Sequence, residues 1–542
     1  MNEARPPRRP CPPQLLGWTL VGSLAACSGV EPDTERPSTT TAAPTDPVRS
    51  PRLDDAIARH WAAAGVEPTV EADDAEYLRR LTLDLLGRIP TPQELERVGS
   101  LDGPNARARL VDEWLARDEW AEHWAELLTE TLLAGAAQDR PRVHDGLQRW
   151  LERELHEGRG WDELTTAMLT ARGEVQLEGP AGFVVVHGRN NRVEPLTGQT
   201  ARVFLGLQLQ CAQCHDDPDD RFTQEQFYGL AAYYARTRTR IRRVDGVPSV
   251  SIVDKARGQM RLPTEHDAPG DRSGARIGPS FPALAVAPGP DDDRRTVLAQ
   301  GIVGSELFAK AAVNHAWARL MGRGIVEPWD DLGGLQVSEH PELLELLADD
   351  FAAHDYDLRH LLRTIVLCEA YQRSSAGEPD GAPARERAFA QAAVRPMSAS
   401  QLMRSLLVAT GLSDVRGRAF RREVELRRQQ VLRDFEQAFD DDEMATAPGF
   451  GGNVPQALLL LNGELTNQAI AAPSGALVKI LRDQTEPDAR VDALFRRVYG
   501  RPPSPAQQAE LSAFVSERDH QRSAYEDLVH AMLLTSEFST NH

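Results

Sequence analysis

Apolar positions recur at helical spacing over most of this chain, and alternation that would mark strands is scarce. Tyr77, Leu78, Leu81 and Leu85 share one face of a helix that Asp73 or Asp74 can cap. Gly87 is placed to end it in a left-handed turn, where a residue without Cβ meets no steric penalty. Thr91-Pro92-Gln93-Glu94 then opens the next helix: Thr bonds an orphan amide, Pro fits the first turn, and Glu reaches back. The same device returns near the end, where Gly500-Arg501-Pro502-Pro503-Ser504-Pro505-Ala506-Gln507 repeats the Gly-Arg and the Ser/Thr-Pro-x-Gln/Glu box. Both read as short helix–helix corners.

Between 241 and 302 the pattern changes. Val250 to Val253 predicts a short strand after Pro248, and Pro263 to Pro290 is dense in Gly, Pro and Asp, which predicts a connector with little regular structure. Helices return with Ser305 as cap of a run through Phe308, Val313, Trp317 and Met321 to Gly322. Pro341 opens another, Asp357 caps a third, and Ser523-Ala524-Tyr525-Glu526 predicts a capping box for the last. The expected class is mainly α, with two helical domains at 51–240 and 303–540 joined by the connector at 241–302.

The first fifty residues follow other rules. Arg5, Arg8 and Arg9 precede the apolar run Leu15–Leu24, and Ala25-Ala26-Cys27 closes it. A basic head, a short apolar middle and a small-residue exit predict a secretory signal over 1–26. The run is far shorter than the roughly 20 residues of a membrane span. The exit resembles a bacterial lipoprotein box, which implies a lipid on Cys27 as the mature N-terminus. Residues 27–50, rich in Pro, Thr and Ser, are expected to be a disordered tether. The chain would then be exported and lipid-anchored to the cell membrane, facing the periplasm or the cell surface. Ser28, rather than Asp, follows the Cys, which agrees with an outer-membrane address.

Charge narrows the partners. The 542 residues carry a net charge of −20, so nucleic acid is excluded as a natural partner. An anionic membrane surface would repel the chain as well, and a covalent anchor suits it better.

Five cysteines are present, at 11, 27, 211, 214 and 368. Cys11 falls in the signal, and Cys368 stands at helical spacing with Leu361 and Ile365, the pattern of a small buried hydrophobe. What remains is Cys211-Ala212-Gln213-Cys214-His215. Cys-x-x-Cys-His is the attachment signature of haem c: two thiols add to the two vinyl groups and the adjacent imidazole reaches the iron. Cys211 and Cys214 are thus expected to be haem thioethers and His215 the proximal ligand. Met260, His187 and His266 are the nearest candidates for a sixth position, although His187 reads more naturally as the strand-end residue of Phe183–Val186.

Two other uses of the same residues stay open. One is Zn or another divalent metal held by Cys211, Cys214, His215 and Asp217; the other is a dithiol or structural disulfide. The run Asp216-Asp217-Pro218-Asp219-Asp220-Arg221 offers carboxylates to a cation, or simply forms a solvated loop.

The stretch Ala201 to His215, followed by Phe222-Thr223-Gln224 and Phe227 to Ala232, resembles the planctomycete cytochrome-like family of unknown function (DUF1549, PSCyt2). Tyr77 to Glu94, with Arg79, Arg80, Asp84, Gly87 and Arg88, is similar to its N-terminal signature. Asn314-His315-Ala316-Trp317, Gly322 to Pro328, Asp330-Asp331-Leu332-Gly333, Ser338 to Leu344 and Val454 to Asn462 resemble its usual partner domain (DUF1553, PSD1). The resemblance implies the two-domain architecture and little biochemistry. The family often has a second His two residues after the first, where this chain has Asp217. In the partner domain Asn314, His315, Arg319, Arg323, Asp330, Asp331 and His340 are expected to cap helices and pair charges more than to line a site. The leading reading is a mono-haem cytochrome-like protein of electron transfer with a redox partner protein. The alternatives are a cell-surface binding or scaffold protein and, third, a hydrolytic or carbohydrate-active enzyme with its site in the C-terminal domain.

Overall fold

The structure is a computed structural model. It describes residues 50–542 except 99–104, 137–140, 176–178, 220, 245–246, 264–272, 335–339, 379 and 414–463. The signal segment, Cys27, the tether, His266, Ser338-Glu339 and the Val454–Asn462 motif lie outside the described residues.

The fold is mainly α, and the local signals act where the sequence places them. Asp73 accepts the Glu76 amide at 2.8 Å and starts helix Asp74–Leu86. Gly87, at φ 69°, ends it. A Cβ there would stand 2.5 Å from His123 Nδ1, so both the backbone and the neighbour require glycine. Ser305 caps Glu306–Met321 and Asp357 caps Leu358–Leu367. Cys368 follows that helix at 1 % exposure, as a buried apolar group. The Ser523 box does not form. Helix Arg522–Leu533 begins two residues earlier, from Gln521 as N-cap, and Arg522 pairs with Glu526 at 2.7 Å, so the Glu is spent along the helix instead of reaching back.

His187 is not a strand end. Phe183–Val186 lies in helix Gly182–His187, buried throughout. Val250–Val253 does sit in a strand, Val247–Asp254, the centre of a three-stranded antiparallel sheet between Gly173–Val175 and Thr237–Val244. Gly173 faces Ile252 on one side and Thr237 faces Asp254 on the other. The alternating Thr237-Arg238-Thr239-Arg240 carried the signal for the partner strand, at the 240/241 border where a helical domain was expected to end. The last part of the connector, beyond the Pro263–Pro290 stretch, is helix Arg294–Val303. Arg295, 1 % exposed, bonds Asp254 at 2.7 Å and the carbonyls of Leu169 and Ala171 at 2.9 and 2.8 Å, stapling hairpin and helices together.

Two apolar cores result, and they do not follow the two sequence regions. The larger runs from Leu53 to Ala390, across the connector. The smaller gathers Met397 to Phe538 but also takes Leu83 and Ile89. Helix Asp74–Leu86 therefore serves both, Leu78 and Leu81 on one side and Leu83 on the other. Its polar residues do the same: Arg79 donates to the carbonyls of Glu537, Phe538 and Thr540 at 2.8, 3.0 and 3.1 Å, and Arg80 to those of Tyr371 and Arg373 at 2.6 and 2.9 Å. Asp84 accepts from Tyr371 Oη, Arg395 and Asn541 at 2.8, 2.9 and 2.7 Å. Such buried charges are tolerable only when paired in this way. Among the described residues no helix is long and apolar enough to cross a membrane.

Candidate functional site

Helix Glu194–Leu205 ends at Gly206, φ 60°, and delivers the chain to the Cys segment. The Gly206 carbonyl accepts the Leu332 amide at 2.7 Å, and a Cβ on Gly206 would stand 2.9 Å from the Leu332 side chain. Arg202 pairs with Asp330, to which Gln208 also donates at 2.8 Å. Leu207 and Leu209 are buried. The loop is thus seated on the Asp330–Gly333 segment of the partner region.

Cys211–Gln213 form a 3₁₀ turn, closed by Ala212 N to Leu209 O at 3.1 Å, Gln213 N to Gln210 O at 3.2 Å and Cys214 N to Cys211 O at 3.3 Å. Residues three apart eclipse in such a turn, which sets Cys211 and Cys214 on one side. Both thiols are free; Cys211 is exposed and Cys214 half-buried. His215 is exposed, with Nδ1 2.7 Å from the Asp216 carbonyl. A carbonyl only accepts, so Nδ1 carries the proton and Nε2 keeps its lone pair for a metal.

The acidic run behind the motif is already engaged. Asp217 is 3 % exposed; it accepts the Asp219 amide at 2.9 Å and Arg221 at 3.1 and 3.3 Å. Arg221 reaches on to Asp331 at 2.7 Å. Asp216 accepts the Gln224 amide at 2.7 Å, and the Gln224 side chain returns a bond to Cys214 O at 2.7 Å. Asp220 lies outside the described residues. Arg202, Gln208 and Gln224 were not singled out from the sequence, and Arg221 was noted only as the end of the acidic run. Its i,i+4 spacing from Asp217 was the available signal.

The donor set fits haem. Two free thiols share one turn, and the neighbouring imidazole presents Nε2. The four-ligand metal alternative would require Asp217 to leave Arg221. Among the described residues the ligand atoms of Cys211, Cys214, His215 and Asp217 do not gather as a metal set; Asp350, His354 and His360 do.

Of the sixth-position candidates, His187 holds Leu132 O at 2.8 Å through Nε2, and burial depresses its pKa to about 4. Met260 is fully buried in the short strand Met260–Arg261, and His266 lies outside the described residues.

The polar residues of the partner region are mostly structural. Asn314 bonds Val326 N and O and Trp329 O at 3.0, 2.9 and 2.9 Å. His315 lies 3.2 Å from Thr131 Oγ1, and burial, then the Arg319 and Arg202 charges, bring its pKa down to about 3. His340 packs on His60 with ring centroids 3.6 Å apart. Arg323 lines a cavity of about 360 Å³ together with Glu327, Trp329 and Glu386.

Residues 52–239 match a protein family of unknown function, DUF1549 or PSCyt2, and residues 294–515 match a second, DUF1553 or PSD1. The second begins at the first residue of helix Arg294–Val303, where regular structure resumes, rather than at 303. Neither a curated protein nor a solved structure matches the chain.

Proposed function

We propose, for a chain that carries the PSCyt2 and PSD1 domains in tandem, that Cys211 and Cys214 hold a haem covalently and His215 binds its iron through Nε2. The observation that carries this reading is the 3₁₀ turn with two unpaired thiols beside an imidazole whose Nδ1 is committed to Asp216 O. The haem, when bound, supplies one-electron transfer at its iron. The chain's own residues orient and bias it. Gln224 and Asp216 fix the turn from behind. The carboxylate of Asp216, exposed beside His215, favours the oxidised state of the site and attracts a basic redox partner. Export and a lipid on Cys27 place the group at a membrane, on the side where such attachment takes place.

The test is expression of the full chain with an active haem-maturation system. A Soret band and haem staining that survives a denaturing gel are expected, and Cys214→Ala should abolish the covalent stain. A wild-type chain with neither band nor stain sinks the proposal. Mass spectrometry of the exported protein checks the anchor: a diacylated peptide beginning at Cys27 is the expected product.

A further inference from the structure

Far from the Cys turn in sequence, helix Pro341–Ala353 turns directly into helix Leu358–Leu367. The turn brings Asp350, His354 and His360 together. His360 Nε2 lies 2.7 Å from Asp350 Oδ2, and His354 Nδ1 lies 3.4 Å from Asp350 Oδ1. The two imidazoles stack with centroids 3.6 Å apart and planes 17° apart. One ligand atom from each residue falls within 4.8 Å of the others.

We propose that Asp350, His354 and His360 bind a divalent transition ion of the zinc type. The argument begins with the donors: two imidazole nitrogens and one carboxylate oxygen suit a borderline ion, whereas Ca²⁺ and Mg²⁺ prefer oxygen alone. Distance agrees. Ligands about 2.0–2.2 Å from a tetrahedral ion stand about 3.4 Å apart. The separation of His354 Nδ1 from Asp350 Oδ1 already has that value, while His360 Nε2 meets the other oxygen, Oδ2, at 2.7 Å and has to withdraw for an ion to enter.

Charge agrees as well. The Asp350 carboxylate faces both imidazoles and supplies the negative charge that a bound cation requires. His354 Nδ1 donates to the Asp350 carbonyl at 2.8 Å, so ligation through this atom requires the other tautomer, with the proton on Nε2; the carbonyl lies at the negative end of its helix, which favours a cation there.

The turn that presents these residues is held by packing and a hydrogen bond. Asp355 and Tyr356 both hold φ 53°, an unusual conformation for such side chains. Tyr356 is clamped in it by Phe308 and Phe351, with ring centroids 5.3 and 5.4 Å away, and by the Trp161 amide at 3.0 Å from its carbonyl. The site is open to solvent: the side chains of His354, Asp350 and His360 are 40 %, 38 % and 22 % exposed. Three protein ligands leave one tetrahedral position for water or a donor from another molecule.

The experiment uses the full chain carrying Cys211→Ala and Cys214→Ala, so that no ion held by the Cys turn is counted and the haem proposal is not at stake. Equilibrium dialysis with Zn²⁺ should give one ion per chain, and Co²⁺ should produce visible absorption bands of a four- or five-coordinate site. Adding His360→Ala or, separately, Asp350→Asn should weaken Zn²⁺ binding by about 100-fold or more, with circular dichroism unchanged. His354→Gln, at the most exposed of the three positions, repeats the test with the least risk to folding. Binding below one ion per chain, or equal binding by all variants, overturns the proposal.

Discussion

The corners at Gly87–Glu94 and Gly500–Gln507 are one device used at two depths. Each ends a helix on a left-handed glycine, φ 69° and 80°. Each starts the next helix with a reciprocal capping box. Thr91 and Glu94 exchange bonds of 2.8 and 3.3 Å; Ser504 and Gln507 exchange 2.9 and 3.2 Å. The likeness continues beyond the motif. Arg88 bonds Glu119 at 2.9 Å and Arg501 bonds Glu537 at 2.7 Å, and each Glu precedes a buried aromatic residue, Trp120 or Phe538. The corners even approach one another, since a Cβ on Gly500 would lie 3.6 Å from Leu95.

The difference is burial. The Arg88 side chain is 10 % exposed and also grips Glu94 at 2.9 Å through two nitrogens. The Arg501 side chain is 36 % exposed and meets a neutral Gln507 at 3.3 Å. A Glu or a Gln satisfies the local cap equally well; depth decides whether its charge matters.

That comparison breaks most visibly at the arginines. Arg88→Ala leaves Glu94 buried with Arg117 as its remaining charge partner and should cost about 3 kcal/mol of stability in chemical denaturation. Arg501→Ala should cost about 1 kcal/mol or less. Equal losses would mean that burial does not separate the corners.

The glycines sharpen it further. Gly87→Ala meets the left-handed penalty and two near contacts, His123 Nδ1 at 2.5 Å and Arg404 Nη1 at 2.7 Å, for about 2 kcal/mol. Gly500→Ala has room and should lose about 1 kcal/mol. Melting temperatures of the two variants check the order.

The comparison also shows in acid. Burial alone would raise the Glu94 pKa, but the hydrogen bonds and charge of Arg88 bring it down to about 2 from 4.5. A depressed folded-state value stabilises fully above pH 4.5 and is lost as pH falls toward 2. Glu94→Gln, which copies the C-terminal corner, should flatten the loss of stability over that window. An unchanged acid slope would remove Glu94 from the account.

How much of this was legible depended on range. The caps at Asp73, Thr91, Ser305, Asp357 and Ser504 were readable because donor and acceptor lie within three residues. Ser523 shows the limit: its Glu526 had a second local partner in Arg522. The Cys turn was readable from spacing. Its support was not, since Arg202, Asp330, Arg221 and Asp331 meet across more than a hundred positions. The trio at 350, 354 and 360 offered only an i,i+4 pair; its third member lies on the next helix, and the Asp357 cap that starts that helix does not say how it folds back.

By itself, then, the sequence determined the helical class, the corners and the thiol–thiol–imidazole set, because each is written in neighbouring residues. The tertiary structure alone decided that helix Asp74–Leu86 serves two cores, that Arg221 reaches Asp331, and that Glu94 is buried where Gln507 is not. Those outcomes depend on which distant surfaces exclude water from a charge. Local spacing carries no record of that.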